Sequence, residues 1–389
     1  MQVRSHLLTG TSTGTAGAQD KASSPPPPTT SDGPVEVRDR FVPSLVSVNQ
    51  VEPPALRSTW QQHLLARVGD ASVGAAVDSL FDYHQACAFF GERILGMRRL
   101  TLDTAEGALD VQLAPHRNKV PVAEVHVHGQ AECALCKPPF VDERGLRWRD
   151  YSIWPNAYPY LPPEQQHVVI TAATHQGQHF APRILEDMID YQRAAGQATP
   201  VTLHYNGVAG NSQFHLHWQA SRERLPLQRL LDEGSLPLQR VHSGAGGRVE
   251  SYDQGFYAGL LVSGDKAYVS RMATRIVAQL ERDPVTRGAY NLLLLHPRQG
   301  EARLVVIPRR ADMLQPELPS FGKVGLGAFS FGGTIVVPRE QLPDGFAGEL
   351  CTAARQTLVR PSELGWLDEL REQVDNAVLA LRTARSDGG

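Results

Sequence analysis

The sequence predicts an α+β protein, because two periodicities mix along the chain. Period-two alternation or short apolar runs mark strands in VAEVHVHG, HVVITAATH, VTLHYNG, FHLHWQAS, AYNLLLLHP, ARLVVIPRR and GGTIVVPRE. Spacings of three and four mark helices in SLFDYHQACAFFGERILGM, in HFAPRILEDMIDYQRAAG and near residues 362–384, where Leu364, Leu367, Leu370, Val374, Val378 and Leu381 make one stripe. No repeat of solenoid length interrupts this mixture.

In chain order, residues 1–34 are rich in Ser, Thr, Ala, Gly and Pro, with Pro25 to Pro28 in a row, and read as a disordered tail. Residues 35–109 read as an N-terminal helical addition that packs Cys87 and ends near TLDTAEGALDVQLAPHR, which reads as a strand pair or a strand and turn. The charges of ERILGMRRL read as a solvated helix face. Residues 110–230 hold His126 and His128 on one face of VAEVHVHG, then a turn-rich stretch, the HVVITAATH strand, a helix closed by Gly196 and two further strands. Residues 231–389 repeat the mixture of strands and helices and finish on the terminal helix. Arg309 and Arg310 at a strand end read as solvated, and Cys351 as core.

Composition narrows the function. The chain has 389 residues and a formal charge of −3, with 41% hydrophobic and 20% charged residues, which suits a globular protein with a sizeable core. That balance offers no basic field for a nucleic-acid backbone or an anionic membrane surface, so neither is expected as a partner. Four cysteines are too few for a disulfide scaffold and imply a reducing compartment. With no apolar block of signal or membrane length, the expected location is cytoplasmic.

Nine of the 14 histidines lie between His116 and His217, and HYNGVAGNSQFHLHWQAS is the densest segment. On a strand, His215, His217 and Gln219 share one face while Phe214, Leu216 and Trp218 take the other. Ahead of them, Asn206, Gly207, Gly210, Asn211 and Ser212 permit positive φ and expose backbone N–H groups that can surround an anion. A loop of donors leading a phosphate to imidazoles suits covalent nucleotidyl chemistry. Imidazole is neutral at pH 7, nucleophilic, and leaves once protonated. The competing reading is a strand whose histidines satisfy local hydrogen bonds.

Residues 206–219 resemble the active-site segment of the histidine triad (HIT-like) superfamily. The similar branch holds galactose-1-phosphate uridylyltransferases, diadenosine tetraphosphate phosphorylases (ATP adenylyltransferases) and GDP-L-galactose phosphorylases, and carries His-x-His-x-Gln. The segment Asn156-Ala157-Tyr158-Pro159-Tyr160 before HVVITAATH, and residues 290–310 and 326–340, resemble further parts of that branch. The resemblance spans about residues 110–340, and Phe214 departs from it where several members have Pro. It implies two HIT-like halves with antiparallel sheets and packed helices. It also implies His217 as nucleophile on an α-phosphorus, His215 as orienting group and Gln219 as phosphate ligand. Asn156, Asn206, Gly210, Asn211, Ser212 and Gln213 would bind nucleotide and phosphate.

Cys133-x-x-Cys136 is half a zinc site, since a structural site wants four ligands. In zinc-containing uridylyltransferases the pair is completed by two histidines, which the resemblance carries to His175 and His215. A rival set uses His128 in place of either, and two buried reduced cysteines without metal are the bland alternative. No organic cofactor is expected.

Three functional readings follow. The first is a phosphorylase that forms a nucleotidyl-histidine from a dinucleoside polyphosphate or nucleotide sugar and passes the nucleotide to phosphate. The second is a zinc-containing sugar-1-phosphate nucleotidyl (uridylyl) transferase with a sugar-phosphate acceptor. The third is a non-catalytic nucleotide-binding protein, since fold alone does not compel chemistry. The family resemblance also suits a homodimer.

Overall fold

Long apolar runs build the centre of the molecule. The computed structural model describes residues 36–40, 67–86, 97–104, 107–119, 133–136, 145–207, 210 and 213–370. In chain order these form β1 (Glu36–Arg40), β2 (Arg67–Val68), α1 (Val73–Ala86), β3 (Arg98–Thr104), β4 (Gly107–Leu113), β5 (Leu146–Trp148), β6 (Tyr151–Pro155) and β7 (Val168–Ala172). Then come α2 (Pro182–Ala195), β8 (Thr202–Asn206), β9 (His217–Ser221), α3 (Pro226–Glu233), β10 (Gln239–Gly244), β11 (Gly247–Gln254), β12 (Tyr257–Gly264) and α4 (Lys266–Arg282). The chain continues with β13 (Tyr290–Arg298), β14 (Glu301–Pro308), β15 (Glu317–Leu318), β16 (Gly322–Lys323), α5 (Ala328–Phe331), β17 (Thr334–Val337) and α6 (Phe346–Thr357).

Eleven strands make one sheet in the order β10-β11-β12-β14-β13-β8-β9-β7-β6-β5-β2, antiparallel except for β2 beside β5. A second sheet, β1-β3-β4-β17, is antiparallel except for β17 beside β4. The α+β class with antiparallel sheets is therefore observed. Strands β12 and β14 lie inside the large sheet, away from its edges, because their runs, YAGLLVSG and EARLVVIP, are buried on both faces. The exposed pattern of β10 suits the edge.

Helices α2 and α4 cover one face. Pro182 starts α2 without losing a needed donor, and Asp265 caps α4 by accepting from the Tyr268 N–H at 2.7 Å. Leu185, Met188, Ile189, Met272 and Ile276 pack there on Leu203, Trp218, Leu260, Leu292 and Val306. The opposite face carries Leu261, Leu293, Leu295, Val305 and Ile307, covered by β4, α3, α5, β17 and α6. Cys351 belongs to that second core. Each core buries dozens of apolar side chains, at roughly 25 cal/mol per Å² removed from water.

Several sequence expectations change. Residues 35–109 are not a helical addition: among the described residues they hold one α-helix, α1, preceded by a 3-10 turn at Asp70–Ser72, together with the strands β1 to β3 and the start of β4. The three-and-four spacing is real in α1, and TLDT and GALDVQL form the expected hairpin, but Arg98 to Leu100, read as a helix face, extend its first strand by pairing with β4. Arg99 is accordingly no solvated helix charge; it pairs with Asp110 at 2.6 Å and with Glu223. Arg309 is wholly buried, while Arg310 pairs with Glu363. The tail, Cys87, His126, His128, and the terminal helix beyond Leu370 lie outside the described residues.

Candidate functional site

The site forms on the sheet face that α2 and α4 leave free. Register sets Gln219 opposite His204 on β8 and opposite Val169 on β7, with His217 opposite Thr171. Residues two apart share a face, so His204, Asn206, His217 and Gln219 fall together. Trp218 faces the other way, with its ring centroid 4.3 Å from that of Tyr151.

His215 departs from expectation. It is not part of the strand row, because β9 begins at His217 and His215 lies in the preceding bend. The bend turns its ring to a different task. Its Nε2 is 3.0 Å from the carbonyl oxygen of Ala172. A carbonyl only accepts, so Nε2 carries the proton and Nδ1 keeps its lone pair.

That lone pair meets the cysteines. Nδ1 of His215 is 3.4 Å from Cys133 Sγ and 3.3 Å from Cys136 Sγ, and Nδ1 of His175 is 3.4 Å from Cys136 Sγ. The four ligand atoms all lie within 4.8 Å of one another. Bond lengths of about 2.3 Å to sulfur and 2.05 Å to nitrogen give a tetrahedral S···N edge of about 3.5 Å, so the donors are spaced for one ion. The cysteines are brought together by a 3-10 turn closed by the Cys136 N–H on the Cys133 carbonyl at 3.1 Å. Burial and the neighbouring Cys133 push the Cys136 thiol up to about 11, so a metal must displace its proton. The set Cys133, Cys136, His175 and His215 can hold a metal.

The second imidazole is fixed the opposite way round. Nδ1 of His217 lies 2.7 Å from the His215 carbonyl oxygen, so Nδ1–H donates and Nε2 holds the free lone pair. The ring is buried, and burial pushes its pKa down to about 4. It is a neutral imidazole of one defined tautomer at pH 7.

Gln219 is oriented by Asn156, an expected site residue, and by His167, which sequence reasoning missed together with His204. His167 Nε2–H donates to Gln219 Oε1 at 2.7 Å, and Asn156 Nδ2 donates to the same oxygen at 3.3 Å. The amide nitrogen of Gln219 is thereby turned away from both. Asn156 is itself held, since its Oδ1 accepts from the Tyr158 N–H at 2.8 Å. His204 meets the Tyr160 hydroxyl at 3.2 Å. Burial lowers the pKa of His204 to about 3 and that of His167 well below its usual value. Period two was the available signal for both: His167 is two residues before Val169, and His204 two before Asn206.

The remaining expected residues divide. Asn206 Oδ1 accepts from Asn291 Nδ2 at 2.9 Å and from the Ala328 N–H at 2.8 Å. Gly210 adopts φ +88°, and a Cβ there would come within 2.9 Å of the Gly327 Cα. Gln213 Oε1 accepts from the Ala134 N–H at 3.2 Å, tying the segment before His215 to the cysteine turn. Asn211 and Ser212 lie outside the described residues.

This polar face lies within a recognised stretch. Residues 83–222 match the model of a domain of unknown function, DUF4922. No curated protein matches the chain. Among solved structures it is similar to yeast Ap4A phosphorylase Apa2 in complex with AMP, at 16% identity and a TM-score of 0.45 over 70% of this chain and 89% of that one. A second structure of that yeast protein gives 15% identity and a TM-score of 0.41, covering 67% of this chain and 88% of that one. A DUF4931 family protein from Bacillus cereus ATCC 10987 is similar at 13% identity and a TM-score of 0.32, covering 53% of this chain and 95% of that chain. Among the described residues, no helix is long and apolar enough to cross a membrane.

Proposed function

We propose that the chain is a nucleotidyltransferase working through a nucleotidyl-His217 intermediate. The observation that carries this reading is the 2.7 Å contact between His217 Nδ1 and the His215 carbonyl oxygen, which assigns the proton to Nδ1 and leaves Nε2 as a neutral nucleophile. Nε2 attacks the α-phosphorus of a dinucleoside polyphosphate or nucleotide sugar, the nucleoside polyphosphate or sugar phosphate beyond it departs with the bond electrons, and the nucleotide stays on nitrogen. A phosphate or sugar-phosphate oxygen then displaces His217 and restores the free imidazole. The Gln219 amide donates to a non-bridging oxygen where charge builds, its orientation set by His167 and Asn156. Asn206, Gly210 and Gln213 are the described candidates for contacting the nucleotide.

Zinc suits the Cys133, Cys136, His175 and His215 donors, two thiolates and two imidazoles at tetrahedral spacing. Bound there, zinc fills its shell with protein and supplies position only, pinning His215 and the backbone carbonyl that orients His217. This cluster favours the sugar-1-phosphate nucleotidyltransferase form of the reaction, the second reading, over the phosphorylase form.

Intact-mass measurement after incubation with ATP, GTP, UDP-glucose, GDP-mannose and diadenosine tetraphosphate tests the reading. A nucleotide-sized adduct is expected, absent from His217→Ala. Failure of every donor to label the protein or turn over overturns it. Release of the nucleotide by phosphate or by a sugar phosphate separates the two forms.

A further inference from the structure

Strands β8 and β9 pair from Thr202↔Ser221 to His204↔Gln219 and then stop. In the same register the next rung of that parity would join Asn206 to His217. A side chain occupies the gap instead. Gln178 Oε1 accepts from the His217 N–H at 2.8 Å, and its Nε2 donates to the His217 carbonyl at 2.9 Å and to the Asn206 carbonyl at 3.0 Å. One buried amide thus makes the contacts of a missing strand rung on the nucleophile's own backbone.

The other side of Asn206 is braced from the far part of the chain. Asn206 lies opposite Asn291 on β13, and Asn291 lies opposite Ile307 on β14, so Asn206, Asn291 and Arg309 share one face. Arg309 Nη1 donates to Asn291 Oδ1 at 2.9 Å and to the Leu326 carbonyl at 2.6 Å, and Asn291 Nδ2 donates to Asn206 Oδ1 at 2.9 Å. The guanidinium carbon also lies 4.4 Å from the Phe331 ring centroid. Arg309 has no ion pair among the described residues, and a wholly buried cation held by carbonyls, an amide and a ring is costly to bury. A solvated strand end would not need it, so a directional task accounts for its position.

We propose that Gln178 is the positioning residue for His217, and that Arg309 holds it in place through Asn291 and Asn206. The relay couples residues beyond 231 to the nucleophile, and it rests on the transferase reading for its catalytic consequence. Misplacing an attacking atom by about 1 Å costs about 10²-fold in rate.

Gln178→Glu keeps the shape and the acceptor for the His217 N–H but removes the donor to both carbonyls. In single-turnover labelling of the full chain with the five donors named above, this variant is expected to transfer nucleotide about 10²-fold more slowly, with half-saturating donor concentration within about three-fold of wild type. Arg309→Met should slow the same step, and the double variant should be no slower than Gln178→Glu alone by more than about three-fold, as members of one relay do not multiply. Asn291→Leu cuts the relay at its middle should Arg309→Met not fold. Unchanged rates, a loss confined to donor affinity, or multiplied effects overturn the proposal. If wild type takes nucleotide from no donor, the transferase reading fails separately, and amide exchange decides the relay. Exchange at His217 and Ala328 at least about ten-fold faster in the variants, with β12 and β14 unchanged, supports it, and wild-type exchange at both amides overturns it.

Discussion

His215 and His217 are two residues apart and carry opposite tautomers. His215 gives Nε2–H to Ala172 and turns Nδ1 to the thiols, whereas His217 gives Nδ1–H to His215 and keeps Nε2 free. Each role follows from a backbone carbonyl, so neither imidazole needs a carboxylate to define it. Wild-type protein purified with zinc should hold about one ion per chain. Elemental analysis should find that content lost in Cys136→Ser and His175→Ala and retained in His128→Ala; loss in the last would restore the rival ligand set. Gln219→Ala should slow nucleotide transfer by about 10²-fold, since it removes a single donor from developing charge. Rapid-quench labelling would measure it. Tyr151 tests a purely structural contact: its hydroxyl donates to the buried Asp187 at 2.8 Å, beside Arg149 at 2.7 Å. Tyr151→Phe should cost about 1.5 kcal/mol in urea unfolding.

At the scale of elements, capping and pairing decide where strands and helices end. The N-terminal cap of α4 is a single carboxylate on the Tyr268 N–H, and Asp265→Ala should cost about 1 kcal/mol, read as a lower urea midpoint with unchanged slope. Strand β9 starts later than the alternation FHLHWQAS predicts. The pattern is correct from His217 onward, but Leu216 N–H bonds the Gln176 carbonyl at 2.8 Å and Gln178 occupies the next rung. Alternation in a sequence cannot report which backbone partner is present. The hairpin β3–β4 is the strand pair expected in TLDTAEGALDVQLAPHR, but β3 starts earlier than the sequence shows, at Arg98, because Arg98 to Leu100 find partners on β4.

The whole molecule stores several neutral imidazoles. Burial holds His167 well below its usual pKa, His204 at about 3 and His296 at about 4. The unfolded chain protonates these groups near pH 6.5 while the folded chain does not, so the unfolded state binds more protons and stability rises with pH in that window. Stability is therefore fully present above about pH 6.5 and declines as pH falls toward about 3. Asp110 and Asp232, lowered by arginine partners against the desolvation that opposes this, add their losses as pH falls through the carboxylate range. Urea midpoints from pH 8 to 4 should fall steadily below 6.5; a flat profile down to pH 4.5 contradicts the assignment. Chelation should also lower the melting temperature, because a metal bound only by the folded chain stabilises it by mass action.

What the sequence determined by itself is local: the α+β class, most central strands, the cysteine pair, and the face that joins His217 to Gln219. Period and composition encode these directly, since the chain's own geometry sets which side chains share a face. The resemblance added His175 and His215 to the cysteines, and the folded donor atoms meet within 4.8 Å. Only the tertiary structure could supply the roles of Gln178, Asn291 and Arg309. Their partners lie 18 to 85 residues away for Arg309 to Asn291 and Asn291 to Asn206, and 39 for Gln178 to His217. A buried arginine and a solvated one look alike in sequence, because burial depends on which strands arrive beside it. The same holds for an amide that replaces a strand rung: its role exists only where two strands part.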